Sequence, residues 1–507
     1  VYKRQLRNAC LGDSLARILR FAGYEVVVAN YIDDTGAQMS DNLVAHFVLG
    51  YPVEPPDDVK FDHYCGRLYS EVNRLYKEKP ELLEKKRYFT KMVEEGDNPY
   101  AKVAKEIAVR VVKEQLKTCW EINVFYDVLN WETDILRFGL WEKAVKMLEK
   151  TGRLRYKETG KNRGCLIFDL SGFPEFEDVM EPEEVLVRSD GTTVYVAKDI
   201  AYAMWKHGLI KQDFNYEVFC KQPNGEVLWT TTSGRGVEKH PKFNEVDISI
   251  NVIDVRQKHE QNVVRRALMV LGGGEYAKKY IHYAYEVVSL SPRVVEKILG
   301  IKLEGERKRM YHMSGRKGIV VTGDEVLNAL KRKAYEEAKK RNPDADEGWL
   351  KDVARKVAVA ALRYELTKQD VNKVVVFEME KALKLEGNTG PYLQYVHARA
   401  TRILEKAGSW EPLYEPPSLE KIEKELVRCI SEFPTVVEES ATQLRPQLVC
   451  RYLYELATTF NRFYEDVPVL RAEGEELRRF RLTLVKAVKN TIKNGLWLLG
   501  IEAPDRM

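Results

Sequence analysis

Read from Leu6, the chain moves between two periodicities. Leu11, Leu15, Ile18, Leu19 and Ala22 share one stripe at helical spacing, Gly23 stands where a helix closes, and EVVVANYI (25–32) is a β-branched run of the kind a buried strand carries. A helix feeding a strand in this way predicts one layer of an α/β sheet. From FDHYCGRLYSEV (61–72) to LWEKAVKMLEKTG (140–152) the pattern becomes charged and helical, broken at DNPY, and predicts an insertion rather than sheet. Strand and helix signals return between about 184 and 272. EVLVRSDG (184–191) predicts a strand and turn, TTVYVAKDIAYAMWKHG (192–208) a helix with Thr192 or Thr193 as N-cap and Gly208 past its end, and DISINVIDV (247–255) a further strand. From about 324 onward amphipathic text such as LVCRYLYELATTFNRFYEDV (448–467) predicts an α-helical bundle.

The expected fold class is therefore α/β followed by all-α. Its expected divisions are 1–50, the first part of the sheet domain; 51–183, a mostly helical insertion; 184–275, the second half of the sheet domain; 276–345, a connecting region; and 346–507, the helical domain. The length of 507 residues, 44% hydrophobic and 31% charged, supports two or three cores of this kind and argues against disorder. The 81 Lys+Arg against 77 Asp+Glu permit a polyanionic partner without requiring one, so any nucleic-acid argument must be local. Seven scattered cysteines without a C-x-x-C read as reduced thiols, not as a zinc or disulfide frame. No apolar stretch approaches the roughly 20 residues that span a bilayer. A cytoplasmic protein with no metal-binding motif is expected.

Three clusters are candidates for chemistry. In RKRMYHMSGRKG (307–318), glycines beside Arg316 and Lys317 would let a cationic loop close over a phosphate chain; on charge alone, a solvated basic loop is the default. In RSDGTTVYVAKDIAY (188–202), Tyr195 and Asp199 are four apart on helical text, a phenol and a carboxylate on one face that suit a planar guanidinium. An ordinary amphipathic helix with one exposed Asp reads the same way. In NVIDVRQKHEQ (251–261), a strand delivers Asp254, Val255, Arg256 and Gln257 at its carboxyl end, where open α/β sheets bind ligands; His259 in such a charged segment is more often neither ligand nor proton carrier.

The spelling and order of these blocks resemble the arginyl-tRNA synthetases, a branch of the Rossmann-type class I aminoacyl-tRNA ligases. LRNACLGDSLARIL, NYIDDTGAQ, RSDGTTVYVAKDIAY, VIDVRQ, MSGRKG, EGNTGPYLQYVHARA, YLYELATTFNRFYEDVPVL and GIEAPDRM resemble family blocks in the family's order, from Leu6 to Met507. The resemblance implies a Rossmann catalytic domain with a helical insertion and an anticodon-binding bundle. It implies an ATP-dependent arginine–tRNA ligase that forms arginyl-adenylate and transfers arginine to the 2′-hydroxyl of tRNA(Arg), with Mg²⁺, as a monomer. It puts arginine on Tyr195, Asp199 and Gln257, and ATP on Asn8, Gly12, Asp254, Val255, Met313 and Ser314. MSGRKG is similar to the family's Lys-Met-Ser-Lys-Ser loop; Met313 and Ser314 match, His312, Gly315 and Arg316 do not, and Arg316 and Lys317 become the expected cations for the leaving pyrophosphate. For tRNA, the implied contacts are Tyr392, Tyr395, Arg399, Arg478, Arg481 and Met507, within a basic series that includes Arg479, Lys486, Lys489 and Lys493.

Alignment on Leu6 places Tyr2, Lys3, Arg4 and Gln5 where the family's His-x-Gly-His nucleotide motif stands. The expectation is an impaired fragment in which VYKRQ is a junction artefact. The alternative is a non-catalytic tRNA-binding paralogue.

Overall fold

The structure is a computed structural model that describes residues 3–292, 294, 296, 321–416 and 418–507. It contains two compact units, one of Val27–Lys117 and Phe125–Tyr285, the other of Val1–Val26, Thr118–Val124 and Glu286–Met507.

The first of these units is built on short parallel strands. The strands are β1 (Ala29–Ile32), β2 (Val128–Trp131), β3 (Leu154–Tyr156), β4 (Leu166–Asp169), β5 (Glu183–Val187), β6 (Asn215–Lys221), β7 (Val227–Thr232), β8 (Ser249–Asp254) and β9 (Tyr280–Tyr285). One sheet runs β1-β2-β7-β6, with β1 and β2 parallel from Ala29↔Val128 to Ile32↔Trp131, and β6 returning antiparallel to β7. β8 and β9 form a separate parallel pair, and β3-β4-β5 an antiparallel sheet. EVVVANYI thus yields only a four-residue strand, and Val27 is exposed, because β1 lies at the edge of its sheet instead of inside it.

The text between β1 and β2 forms the helices Ala37–Phe47, Phe61–Leu75, Leu82–Glu95 and Pro99–Glu121. Leu43, Phe61, Leu68, Val72 and Phe89, with Ala104 and Ile107 of the fourth, give these helices a core of their own. The chain rejoins the sheet at β2, so the helical insertion closes well before 183. A second core joins Trp141, Leu148, Phe168, Ile200, Trp205 and Leu268, seating the Tyr195–Lys206 helix on its neighbours. That helix begins later than expected. Val194 is its N-cap, with no side-chain cap bond, and Thr193 bridges to Val187 instead. Gly208 does close it, at φ +68°.

The other unit pairs β10 (Val288–Leu290) with β11 (Val375–Phe377) in parallel; the rest of its described residues are mainly helical. Ile18 of the Lys3–Phe21 helix shares a core with Leu393, Leu453, Phe460, Val485 and Ile492. Arg363, fully buried on the Glu347–Thr367 helix, ties three distant segments together. Its Nε donates to Leu499 O at 2.6 Å, Nη1 to Ile122 O at 2.6 Å and Nη2 to Asp13 Oδ2 at 2.5 Å.

At Gly390 the Gly390–Ala407 helix crosses Glu347–Thr367 so closely that a Cβ would lie 2.3 Å from Ala360 O. Neither backbone can yield without shifting a helix. Gly390→Ala is expected to destabilise this unit by about 1–3 kcal/mol, read as a lower midpoint in thermal unfolding; an unchanged midpoint would show that the crossing is loose.

Candidate active site

The carboxyl ends of β1 and β2 carry polar residues in quick succession: Tyr31, Asp33, Asp34 and Thr35 on one, Asn130 and Glu132 on the other. Parallel strands place such residues side by side at one sheet edge, where open α/β folds bind ligands. The Tyr195–Lys206 helix contributes Tyr195, Lys198, Asp199, Tyr202 and Lys206 to the same region.

Most of these groups are matched to one another. Lys198, 2% exposed, donates to Glu132 Oε1 at 2.6 Å and to Thr35 Oγ1 at 2.8 Å. Tyr31 OH donates to Glu132 Oε2 at 2.9 Å, and Thr35 Oγ1 also bonds Glu132. Asp34 accepts from Thr133 N at 2.9 Å, Thr133 Oγ1 at 2.7 Å and Lys105 Nζ at 3.2 Å. Tyr202 OH donates to Asn130 Oδ1 at 2.9 Å, leaving the buried Asn130 Nδ2 without an acceptor. Lys206 Nζ donates to Asn251 Oδ1 at 2.6 Å.

Asp199 differs. No hydrogen bond engages its carboxylate among the described residues. Burial, reinforced by the nearby negative charges of Glu132 and Asp33 and opposed by Lys206 and Lys198, pushes it up to about 7. Asp33, exposed at the surface, is pushed in the same direction, with Glu132 adding to it, while burial lowers Lys206 to about 8, with Asp199 opposing. A carboxyl pushed toward neutrality above a dense hydrogen-bonded floor marks a candidate functional site. An arriving cation would supply what Asp199 lacks.

Of the residues singled out in the sequence, Tyr195 and Asp199 do share this helix; Tyr195 is half exposed, with Lys198 Nζ 5.8 Å from its ring centre. Gln257 is exposed at the start of the Lys258–Gly272 helix, which packs on Tyr195–Lys206. Asp254 is buried and holds Arg256 through its N–H at 2.9 Å and its guanidinium at 2.8 Å, while Val255 begins the short turn between them. His259 pairs with Glu184 at 2.7 Å. Asn8 and Gly12 lie on the Lys3–Phe21 helix of the other unit. Met313, Ser314, Arg316 and Lys317 lie outside the described residues.

The expected tRNA contacts divide. Tyr395, Arg399 and Tyr464 form a partly open cluster, with Arg399 donating to Tyr395 OH at 3.0 Å and to Asn461 at 3.0 Å, and its guanidinium 5.3 Å from the Tyr464 ring. Tyr392 is buried, its OH accepting from Asn461 at 2.7 Å. Arg481 does not fit a phosphate-binding role: it is 3% exposed, and its guanidinium is held by Glu423 at 2.8 Å, Glu420 at 2.9 Å and Pro468 O at 3.1 Å. Arg478 is partly engaged as well, by Ala407 O at 2.9 Å. Met507 packs against the apolar contact of Gly323–Arg341 with Glu347–Thr367.

Sequence reading passed over Tyr31, Asn130, Glu132 and Lys198. The Asp33-Asp34 pair directly after β1 was the visible signal; Glu132 was hidden because β2 was taken for part of the insertion.

Comparison with known proteins gives a consistent picture. Residues 2–219 match the family described as tRNA synthetases class I (R), catalytic domain, and residues 393–507 the DALR anticodon binding domain. The arginine–tRNA ligase of Thermococcus kodakarensis is 40% identical over 99% of this chain and 78% of its own length, and that of Thermus thermophilus 37% identical over 99% and 79%. The solved arginyl-tRNA synthetase of Thermus thermophilus superposes with a TM-score of 0.84 at 35% identity, covering 100% of this chain and 80% of that one. With the mixed sheet and the helical domain already in place, the chain belongs to the arginyl-tRNA synthetases.

Proposed function

We propose that the region around Asp199 holds the side chain of L-arginine, and that the chain joins arginine to tRNA(Arg) at the expense of ATP. The observation that carries this is the Asp199 carboxylate, which no described residue hydrogen-bonds, in a floor where most of its neighbours are paired. A guanidinium offers two parallel N–H donors to such a group, and Tyr195 and Gln257 are the other proposed arginine contacts.

Asn8, Gly12, Asp254, Val255, Met313 and Ser314 are the proposed ATP contacts, with Arg316 and Lys317 offsetting charge on the leaving pyrophosphate. The arginine carboxylate attacks the α-phosphorus in line, the bond to pyrophosphate breaks, and the 2′-hydroxyl of the terminal tRNA ribose then attacks the activated carbonyl, releasing AMP. Positioning carries most of the rate in such a scheme. Mg²⁺ belongs here as a passenger of the ATP phosphates. Asp34 and Glu132 are already held by lysines and hydroxyls, and these residues do not fit a protein-held metal. Tyr395, Arg399 and Met507 are the proposed tRNA contacts among the described residues. A monomeric, cytoplasmic enzyme completes the proposal; no described helix is long and apolar enough to cross a membrane.

Charging of tRNA by the chain with ATP and Mg²⁺ tests the reading. Arginine should be transferred, and citrulline, its neutral isostere, should not; equal charging with citrulline would remove the guanidinium from the argument.

A pH dependence also follows. Asp199 is raised above its ordinary value, so its contribution to stability is complete below pH 3.8 and is lost as pH rises through about 7, where burial of the charge is felt. A bound guanidinium reverses that loss. The KM for arginine should therefore rise by up to about tenfold per unit as pH falls below 7, and the rise in melting temperature on adding arginine should be larger at pH 8 than at pH 6. A flat KM between pH 5.5 and 8 would contradict it.

A further inference from the structure

The strongest unexplained feature of this region is a buried cation inside a site meant for another cation. Lys198 is 2% exposed, its Nζ lies 2.6 Å from Glu132 Oε1 and 3.8 Å from Glu94 Oε1, and it adjoins Asp199 in sequence. Glu132 is 1% exposed and takes bonds from Lys198, Tyr31 and Thr35, so both of its oxygens are engaged. Burying such a pair is costly unless its geometry is good and its remaining bonds are made, as they are here. Apolar residues would fill the same space at less cost, so a role beyond packing is called for.

We infer that Lys198 is a positioning residue for arginine recognition: by closing Glu132 into an ion pair it sets the charge of the pocket, leaving Asp199 as the carboxylate that meets the guanidinium. The inference rests on the arginine reading of Asp199 and deepens it. The charged and titratable groups around Asp199 are Tyr31 and Asp33 from the end of β1, Glu132 after β2, Lys198, Tyr202 and Lys206 on its own helix, and Tyr280 on β9; Glu94 faces Lys198. Among these, Lys198 and Glu132 cancel within one bond length. Without Lys198, Glu132 would keep only the hydroxyls of Tyr31 and Thr35, its negative charge would act uncancelled on Asp199 and Asp33, and a proton would be held on the carboxyls to a higher pH.

The test is the pH profile of the arginine KM in Lys198→Met, Lys198→Arg and the double variant Lys198→Met/Glu132→Gln. The single Met variant should move the KM midpoint upward by about one pH unit and raise KM at pH 7 by about fivefold, with kcat changed less. Lys198→Arg should keep the midpoint. The double variant, which removes both partners of the Lys198–Glu132 pair and forfeits only the longer 3.8 Å contact to Glu94, guards against misfolding of the single one and should bring the midpoint back toward the parent value. An unmoved midpoint in the Met variant, or a double variant displaced as far as the single one, overturns the inference. Failure of the arginine reading looks different: Asp199→Asn would then leave the parent profile with its full pH dependence.

Discussion

Asp199→Asn should lower kcat/KM for arginine by about 100-fold or more, the effect of deleting one partner of a desolvated charge pair worth roughly 3–5 kcal/mol. The protein itself should be as stable as before, or slightly more so near neutral pH, because the substitution removes a desolvated charge that no described residue hydrogen-bonds. This combination separates a binding role from a structural one: a core carboxylate would lose stability and activity together. Steady-state kinetics with arginine, alongside thermal unfolding without it, check both halves. Activity within about threefold of the parent would sink the assignment. The pH dependence of KM should flatten in the same variant; a slope that persists would point to Asp33, whose carboxyl is pushed in the same direction.

The second large effect is expected at Arg363. Arg363→Met keeps the length of the side chain but abandons three acceptors: the carbonyls of Leu499 and Ile122 and the carboxylate of Asp13. Breaking a buried ion pair from one side typically costs about 3–5 kcal/mol, since the remaining charge is stranded. Asp13 retains Arg17, whose Nε lies 2.7 Å from it, which argues for the lower end of that range. Gly500→Ala should act on the same joint, for a Cβ there would meet Arg363 Nη2 at 2.2 Å and the backbone is at φ +67°. Because the two changes damage one contact, their effects on denaturant unfolding should fall well short of additive. Full additivity would mean that Gly500 matters for its backbone alone.

The alternation of helix and strand text, the helical end and the Tyr195–Asp199 pairing were legible because each rests on local periodicity. What was not legible depends on partners distant in the chain. β2 is four residues long and every one is buried, so it lacks the alternation that would distinguish it from the helices before it. Lys198 reads as a solvent-facing lysine until Glu132, 66 residues earlier, is known to meet it. Arg481 reads as part of a basic face, yet Glu423 and Glu420 turn it inward. Charge runs show where cations are, and only tertiary structure shows which of them are already satisfied.

The pairing of Ile18 with the apolar faces of the last helices has a consequence for synthesis. The Lys3–Phe21 helix leaves the ribosome well before Leu453, Phe460 and Val485, which follow more than 400 residues later. At the usual rate of about 5–20 residues per second, that interval lasts on the order of tens of seconds. Throughout it Leu11, Leu15 and Ile18, all but inaccessible to water in the finished fold, have no late partner to cover them. The intervening sheet unit can complete its own core in that time. The nascent chain therefore passes through a stage in which the sheet unit is folded and the Lys3–Phe21 helix still waits, an opportunity for holding chaperones and for aggregation that a contiguous domain order would avoid.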